Sequence, residues 1–253
     1  MRYIIAPEYR HLDGWIRQLI AGDYTPDKIY CNKRNTVELV SYGSRKFVLK
    51  KYKRVGLLKG LIYTVFRKTK ARRAYEYAAL LREKGIGTPR EVAYAEVARG
   101  GIFRDGYFLS EYVDWPILAY WYYSGVFTPA ERNELVDAIS HFVLRLHQAG
   151  FVPHDLNLSN IMYHRTPDGK YQFQILDINR MTTGRQPGLS AAMKSFHQMW
   201  ASPGDEEMLV RPYAAARGFD LQQSMHAMQQ HRKKFLPVSY THLRAHETLM
   251  NLV

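Results

Sequence analysis

The sequence predicts an α+β fold of two lobes. The N-terminal lobe should carry a five-stranded antiparallel sheet with one inserted helix, and the C-terminal lobe should be mostly helical. Three observations predict this. Short runs rich in Val, Tyr, Leu and Phe crowd into the stretch before Val113. A long helix with both start and stop signals opens the second half. The chain of 253 residues, 46% apolar and 13% aromatic, is long enough to give each lobe its own core and is not a disordered polycation.

The first three strands are expected at Lys28–Cys31, Thr36–Tyr42 and Lys46–Tyr52, with Tyr42-Gly43-Ser44-Arg45 as the turn joining the last two. A helix should follow over Lys70–Lys84, where Ala71, Ala74, Tyr75, Ala78 and Leu81 fall at helical spacing. Gly85 and Gly87 end it, and Pro89 prevents its continuation. Glu91–Glu96 and Tyr107–Val113 complete the sheet. The N-terminal lobe therefore spans Met1–Tyr112, and the C-terminal lobe Val113–Leu236.

In the second lobe, Thr128-Pro129-Ala130-Glu131 combines an N-cap threonine, a proline at the first helical position and a glutamate three residues after the cap. This helix should run to Gln148 and stop at Gly150, with Leu135, Ile139, Phe142, Val143 and Leu146 on one face. Two short strands follow, Ile161–His164 and Phe173–Asp177, turned by Thr166-Pro167-Asp168-Gly169. The remainder to Phe235 reads as helical. Pro237–Val253 lacks that periodicity and resembles a tail that recurs on unrelated conceptual translations, so it is expected to be non-native.

Lys and Arg number 36 against 23 Asp and Glu, a formal net charge of +13. Twelve of the basic residues lie between Ser44 and Arg73, where no acid occurs. The rest of the chain is close to neutral, so the partner of this charge belongs near one segment. The single cysteine, Cys31, has no internal disulfide partner, and no Cys/His cluster has zinc spacing. No apolar run approaches the ~20 residues of a spanning helix. Glu8, Arg10, Asp13 and Arg17 interrupt what a signal peptide would need. A reduced cytoplasmic setting is expected.

The stretch His154-Asp155-Leu156-Asn157-Leu158-Ser159-Asn160, followed by Ile175-Leu176-Asp177, carries the chemistry. Phosphoryl transfer from ATP needs one carboxylate to accept the proton of the attacking hydroxyl. It also needs an amide oxygen and a second carboxylate to hold Mg²⁺ over the phosphates. Asp155 and Asn160, five residues apart on a loop after a long helix, can supply the first two. Asp177 follows on the far strand of the next hairpin.

Here the chain resembles the protein-kinase-like fold, whose catalytic loop reads H-R-D-L-x-x-x-N and whose metal aspartate opens D-F-G. Within that superfamily it looks like the lipopolysaccharide core kinases, which phosphorylate Kdo or heptose sugars of the inner core. Glu83-Lys84-Gly85-Ile86-Gly87-Thr88-Pro89, Leu146-His147-Gln148-Ala149-Gly150-Phe151 and Asp155–Ile161 carry that closer resemblance. It implies Asp155 as base, and Asn160 and Asp177 as Mg²⁺ ligands. It also implies a phosphate-gripping lysine on the third strand, paired with a helix glutamate. Lys50 in Phe47-Val48-Leu49-Lys50 and Glu76 fill these places, and the backbone of Glu111 and Val113 stands where adenine would bind.

The departures carry information too. Pro153-His154 replaces His-Arg, Asp177-Ile178-Asn179 replaces D-F-G, and there is neither an A-P-E nor a G-x-G-x-x-G before Lys50. Together they point away from protein substrates. The expected function is ATP- and Mg²⁺-dependent phosphorylation of an inner-core sugar hydroxyl, with Kdo as the first choice. Its partners would be a lipid A-linked acceptor and an anionic membrane surface at the inner face of the inner membrane. The alternatives are a kinase for a soluble amino sugar and a non-catalytic scaffold of the same fold. The basic segment has two readings of its own. Leu57, Leu58, Leu61, Ile62, Val65 and Phe66 form one helical stripe that either meets a membrane or packs on the sheet. A nucleic-acid partner is not expected.

Overall fold

The computed structural model describes residues 1–199 and 205–234, so the tail at 237–253 lies outside the described residues. Contacts divide the chain into two units. One comprises Met1–Trp115 with Gln174–Arg180; the other comprises Pro116–Phe173 and the chain from Met181 onward. The expected single cut after Tyr112 therefore moves to Trp115, and a return segment joins the first unit. The bonds that recruit it are local and specific. The Ile175 N–H donates to the Gly87 carbonyl at 2.9 Å, and the Thr88 hydroxyl donates to the Ile175 carbonyl at 2.9 Å.

The first unit holds β1 (Arg2–Ile5), α1 (Asp13–Ala21), β2 (Lys28–Asn32), β3 (Thr36–Tyr42), β4 (Arg45–Tyr52), α2 (Leu57–Val65), α3 (Lys70–Glu83), β5 (Glu91–Arg99) and β6 (Ile102–Glu111). The strands form one sheet in the order β1-β5-β6-β4-β3-β2, every neighbouring pair antiparallel. It has six strands, not the expected five. The additional strand, β1, pairs Ile4 with Tyr94 and contains only four residues, too few for an alternation to register.

Alternation along β4 decides which residues face which layer. Phe47 and Leu49 are buried on one face, where Tyr9, Leu12, Ile16 and Leu19 of the N-terminal segment cover them. Trp15 completes that cover, its ring 5.2 Å from Phe47 and 5.3 Å from Tyr42. Lys51 shares this face and pairs with Glu38 at 3.0 Å. Val48 and Lys50 take the opposite face. On that side Tyr52, Ala71 and Tyr94 form a second cluster beneath α3. The Thr69 hydroxyl caps α3 by accepting from the Arg72 N–H at 3.2 Å, while Ala71, Ala74, Ala78 and Leu81 are buried.

The short helix α2 corrects the reading in which its apolar stripe packs on the sheet. It meets β6 through its small and polar side instead. A methyl group at Gly60 would lie 2.4 Å from the Phe103 carbonyl oxygen. The Tyr63 and Phe103 rings meet edge-on at 5.7 Å, and the Phe103 N–H donates to the Thr64 hydroxyl at 2.9 Å. The apolar stripe is left in solvent, with Leu58 83% and Phe66 82% exposed.

The second unit holds α4 (Leu118–Ser124), α5 (Pro129–Gln148), β7 (Phe151–Pro153), β8 (Ile161–Arg165), β9 (Tyr171–Ile175), β10 (Met181–Thr183), α6 (Leu189–Phe196), α7 (Asp205–Arg217) and a final helix over 221–234. The chain passes back to the first unit within β9 and returns before β10. The expected capping box starts α5: the Thr128 hydroxyl accepts from the Glu131 N–H, and the Glu131 carboxylate accepts from the Thr128 N–H. Leu135, Ile139, Phe142, Val143 and Leu146 are all buried, each contributing about 1.5–3 kcal/mol of gross transfer free energy. β7 and β10 form a two-stranded ladder, Pro153 opposite Met181, which sequence periodicity did not reveal.

At the buried end of α5, His147 is the hub of a polar network. Its Nδ1 is 2.8 Å from the Tyr213 hydroxyl, its Nε2 is 3.2 Å from Ser195 Oγ, and Arg217 donates to the Tyr213 oxygen at 2.8 Å. Arginine can only donate, so the Tyr213 proton is directed at Nδ1 and Nε2–H points to Ser195. Burial, with a smaller contribution from Arg217, pushes the imidazole down from 6.5 to about 3, so it is neutral near pH 7.

Candidate active site

Two groups of residues bear on the chemistry, one in each unit. In the first, β4 presents Lys50 with Nζ 2.5 Å from Asp177 Oδ1. Asp177 is not on a strand as expected: β9 ends at Ile175, and Asp177 lies in the turn beyond it with φ at 51°. It is the one non-glycine residue in the left-handed region among the described residues, a conformation that costs of order 1 kcal/mol. Asn179, itself buried, donates its side-chain N–H to the same Oδ1. Lys50 thus sits with its ammonium against a carboxylate held from two sides, its side chain only 17% exposed.

The surroundings of this pair are crowded with cations. The Lys50 ammonium also lies over the Tyr52 ring, 5.5 Å from its centre. Burial, then the nearby Asp177 charge, raises the Tyr52 hydroxyl far above its ordinary value. Burial lowers the Lys70 ammonium, and Arg34 and Arg180 add to the effect by repulsion.

Glu76 does not reach Lys50, contrary to expectation. Its carboxylate pairs with Lys68 at 2.8 Å and with Arg72 at 2.8 Å. Helix rotation is the reason. Ala71, Ala74, Ala78 and Leu81 face the sheet, and position 76 lies about 180° around the helix from that stripe. Burial alone would raise the Glu76 carboxyl, but hydrogen bonds from Lys68 and Arg72 outweigh it and hold the group low.

Glu111 closes β6, and its N–H donates to the Arg90 carbonyl at 2.8 Å. Its carboxylate accepts from Tyr9 at 2.7 Å and Arg45 at 2.9 Å. Val113 follows in the non-helical stretch before Trp115, the last residue of this part of the unit.

In the second unit the loop after β7 carries Asp155 and Asn160. Leu156 and Leu158 anchor it in the core, while Asp155, Asn157 and Asn160 are half-buried. The Asn160 side-chain N–H donates to the Asp155 carbonyl at 2.9 Å. That bond fixes the amide so that its oxygen points away from the Asp155 backbone. Asn157 caps the short 3-10 turn Leu158–Asn160 by accepting from the Ser159 N–H at 3.0 Å. The ladder of β7 with β10 steadies the loop's start, where His154 Nε2 lies 2.9 Å from the Thr182 hydroxyl. The structure thus brings together Asp155 with Asn160, and Lys50 with Asp177.

A family model described as the lipopolysaccharide kinase (Kdo/WaaP) family matches residues 30–211, most of the chain and every residue discussed above as a candidate. The chain belongs to this family. It is therefore a lipopolysaccharide kinase, an ATP-dependent phosphotransferase acting on a sugar hydroxyl. A solved structure of WaaP in complex with acyl carrier protein shares its fold, with a TM-score of 0.66 at 15% identity, covering 92% of this chain and 99% of that one. A candidate aminoglycoside phosphotransferase from Ralstonia eutropha superposes with a TM-score of 0.49 (13% identity, 91% and 96% covered). The PknI kinase domain of Mycobacterium tuberculosis gives 0.44 (14% identity, 83% and 95% covered). No curated protein matches in sequence.

In this lipopolysaccharide kinase, sequence reasoning missed Asn179 and Asn157. Asn179 registered only as a departure from D-F-G, although an Asp and an Asn two residues apart in a turn are suited to bond one another. Asn157 had its signal in the Asn-x-Ser spacing of a local cap.

Proposed function

We propose that this kinase transfers the γ-phosphoryl group of ATP to a hydroxyl of Kdo in the lipopolysaccharide inner core. The acceptor is lipid-linked, and the site of action is the inner face of the inner membrane. No described helix is long and apolar enough to cross a membrane, so the chain would meet such an acceptor at the surface. The observation that carries the reading is the Asp155–Asn160 loop, tied internally by the 2.9 Å bond from the Asn160 amide to the Asp155 carbonyl, in a chain of this family.

Asp155 orients the acceptor hydroxyl and takes its proton. The Asn160 amide oxygen and the Asp177 carboxylate are each a hard oxygen donor of the type that suits Mg²⁺. A bound Mg²⁺ supplies positive charge that neutralises the phosphate oxygens. Lys50 steadies the α- and β-phosphates. Its ammonium also pairs with Asp177 at 2.5 Å, so each group compensates the charge of the other. The backbone at Glu111 and Val113 receives the adenine; because the Glu111 N–H is already spent on Arg90, Glu111 contributes its carbonyl. On the acceptor side, Tyr120 and Trp121 are 63% and 42% exposed on α4, which packs against the turn bearing Asn160. Such ring faces can stack on a sugar's C–H face.

Asp155→Asn tests the assignment. Binding of ATP should persist while transfer to lipid A carrying one or two Kdo residues disappears, with mass spectrometry locating the phosphate made by the unaltered chain. Full turnover by the variant would refute the base, and phosphate found only on a different core sugar would refute Kdo.

A further inference from the structure

The stripe on α2 is unusual in its setting. Leu57, Leu58, Leu61, Ile62, Val65 and Phe66 are between 48% and 83% exposed on one helix of nine residues and its cap. The helix cannot roll to bury them. Its opposite side is seated on β6 by the glycine at position 60, which has no room for even a methyl group beside the Phe103 carbonyl oxygen, and by Thr64, which accepts from the Phe103 N–H. Lys53, Lys59 and Arg67 are exposed around the same helix, and no acid occurs between Ser44 and Arg73. A bulky apolar arc bordered by cations matches an anionic bilayer, where the arc enters the acyl boundary and the cations meet the headgroups.

We propose that α2 docks the kinase on anionic lipid bilayers, with Leu58 and Phe66 inserted and Lys59 and Arg67 on the headgroups. This deepens the reading of a lipid-linked acceptor and rests on it for its purpose, since docking confines the enzyme to the surface that carries its substrate.

The test uses the full chain and phosphatidylcholine vesicles, with or without phosphatidylglycerol, sedimented in the absence of ATP and acceptor. The chain should sediment with the anionic vesicles on the order of tenfold more than with neutral ones, and high salt should release it. Leu58→Glu with Phe66→Glu should weaken binding by on the order of tenfold or more. Lys59→Glu with Arg67→Glu should remove the preference for phosphatidylglycerol. Both double variants should melt like the unaltered chain and phosphorylate detergent-dispersed acceptor at its rate. Failure of the unaltered chain to sediment overturns the proposal, as does unchanged binding by the Leu58/Phe66 variant. If instead an acyl carrier protein binds through Leu58 and Phe66 while vesicles do not, the helix is a protein-docking site and the proposal is wrong. Vesicle binding with these variant effects, but without transfer to any core sugar, upholds docking and refutes the substrate reading alone.

Discussion

Lys50 spends its charge on Asp177, and Glu76 spends its own on Lys68 and Arg72. The two sets are separate, which makes Glu76→Gln an informative substitution. Turnover should be little changed, and stability should fall by about 1 kcal/mol or less, because partly exposed ion pairs contribute little. A hundredfold loss of turnover at unchanged melting temperature would show that Glu76 serves the nucleotide after all. The contrast also explains what could be read from residues alone. Asp155 and Asn160 are tied within five residues of chain, so their spacing encodes their geometry. The partner of Glu76 depends on how α3 is rotated by its buried alanines, a tertiary outcome. Asn179 was hidden for a related reason: its role exists only because Asp177 adopts the left-handed turn that brings the two side chains together.

Among the elements, α5 was legible from end to end because its start is written as a capping box and its face as a 3.6-residue period. β1, β7 and β10 were not, since strands of three or four residues carry too little alternation. α2 shows a subtler limit. Periodicity tells which side chains share a face, but the glycine and threonine on the other face decide where that face points. Gly60→Ala should therefore destabilise the first unit by about 1–3 kcal/mol, because the obstructing atom is a backbone carbonyl that cannot swing away. Thermal melting of the variant checks this, and an unchanged melting temperature would mean that α2 shifts freely on β6.

At the scale of the whole molecule, stability should depend on pH through His147. The folded chain holds this imidazole neutral down to about pH 3, whereas the unfolded chain binds a proton near 6.5. The unfolded state therefore carries more protons between those values, and stability is lost as pH falls through that window. Denaturation curves for the unaltered chain and for His147→Gln should keep a constant separation above pH 6.5 and converge below it. Parallel loss in both chains would place the acid sensitivity elsewhere. The two-part organisation was foreseen from the change in pattern near residue 113, but the return of Gln174–Arg180 to the first unit was not. It depends on two hydrogen bonds, at Gly87 and Thr88, to a residue almost ninety positions later.

That return segment has a consequence for how the protein is made. Lys50 and its partner are 127 residues apart in the chain. While the ribosome is still adding the second unit, all six strands of the sheet have been made, but the stretch that seats against Gly87 and pairs with Lys50 has not. The first unit is thus the first to begin folding during synthesis, and it cannot finish until much of the second has been made. Nascent chains just long enough to expose Trp115 outside the exit tunnel should be cut rapidly by protease around Gly85–Pro89, and chains long enough to expose Arg180 there should gain protection.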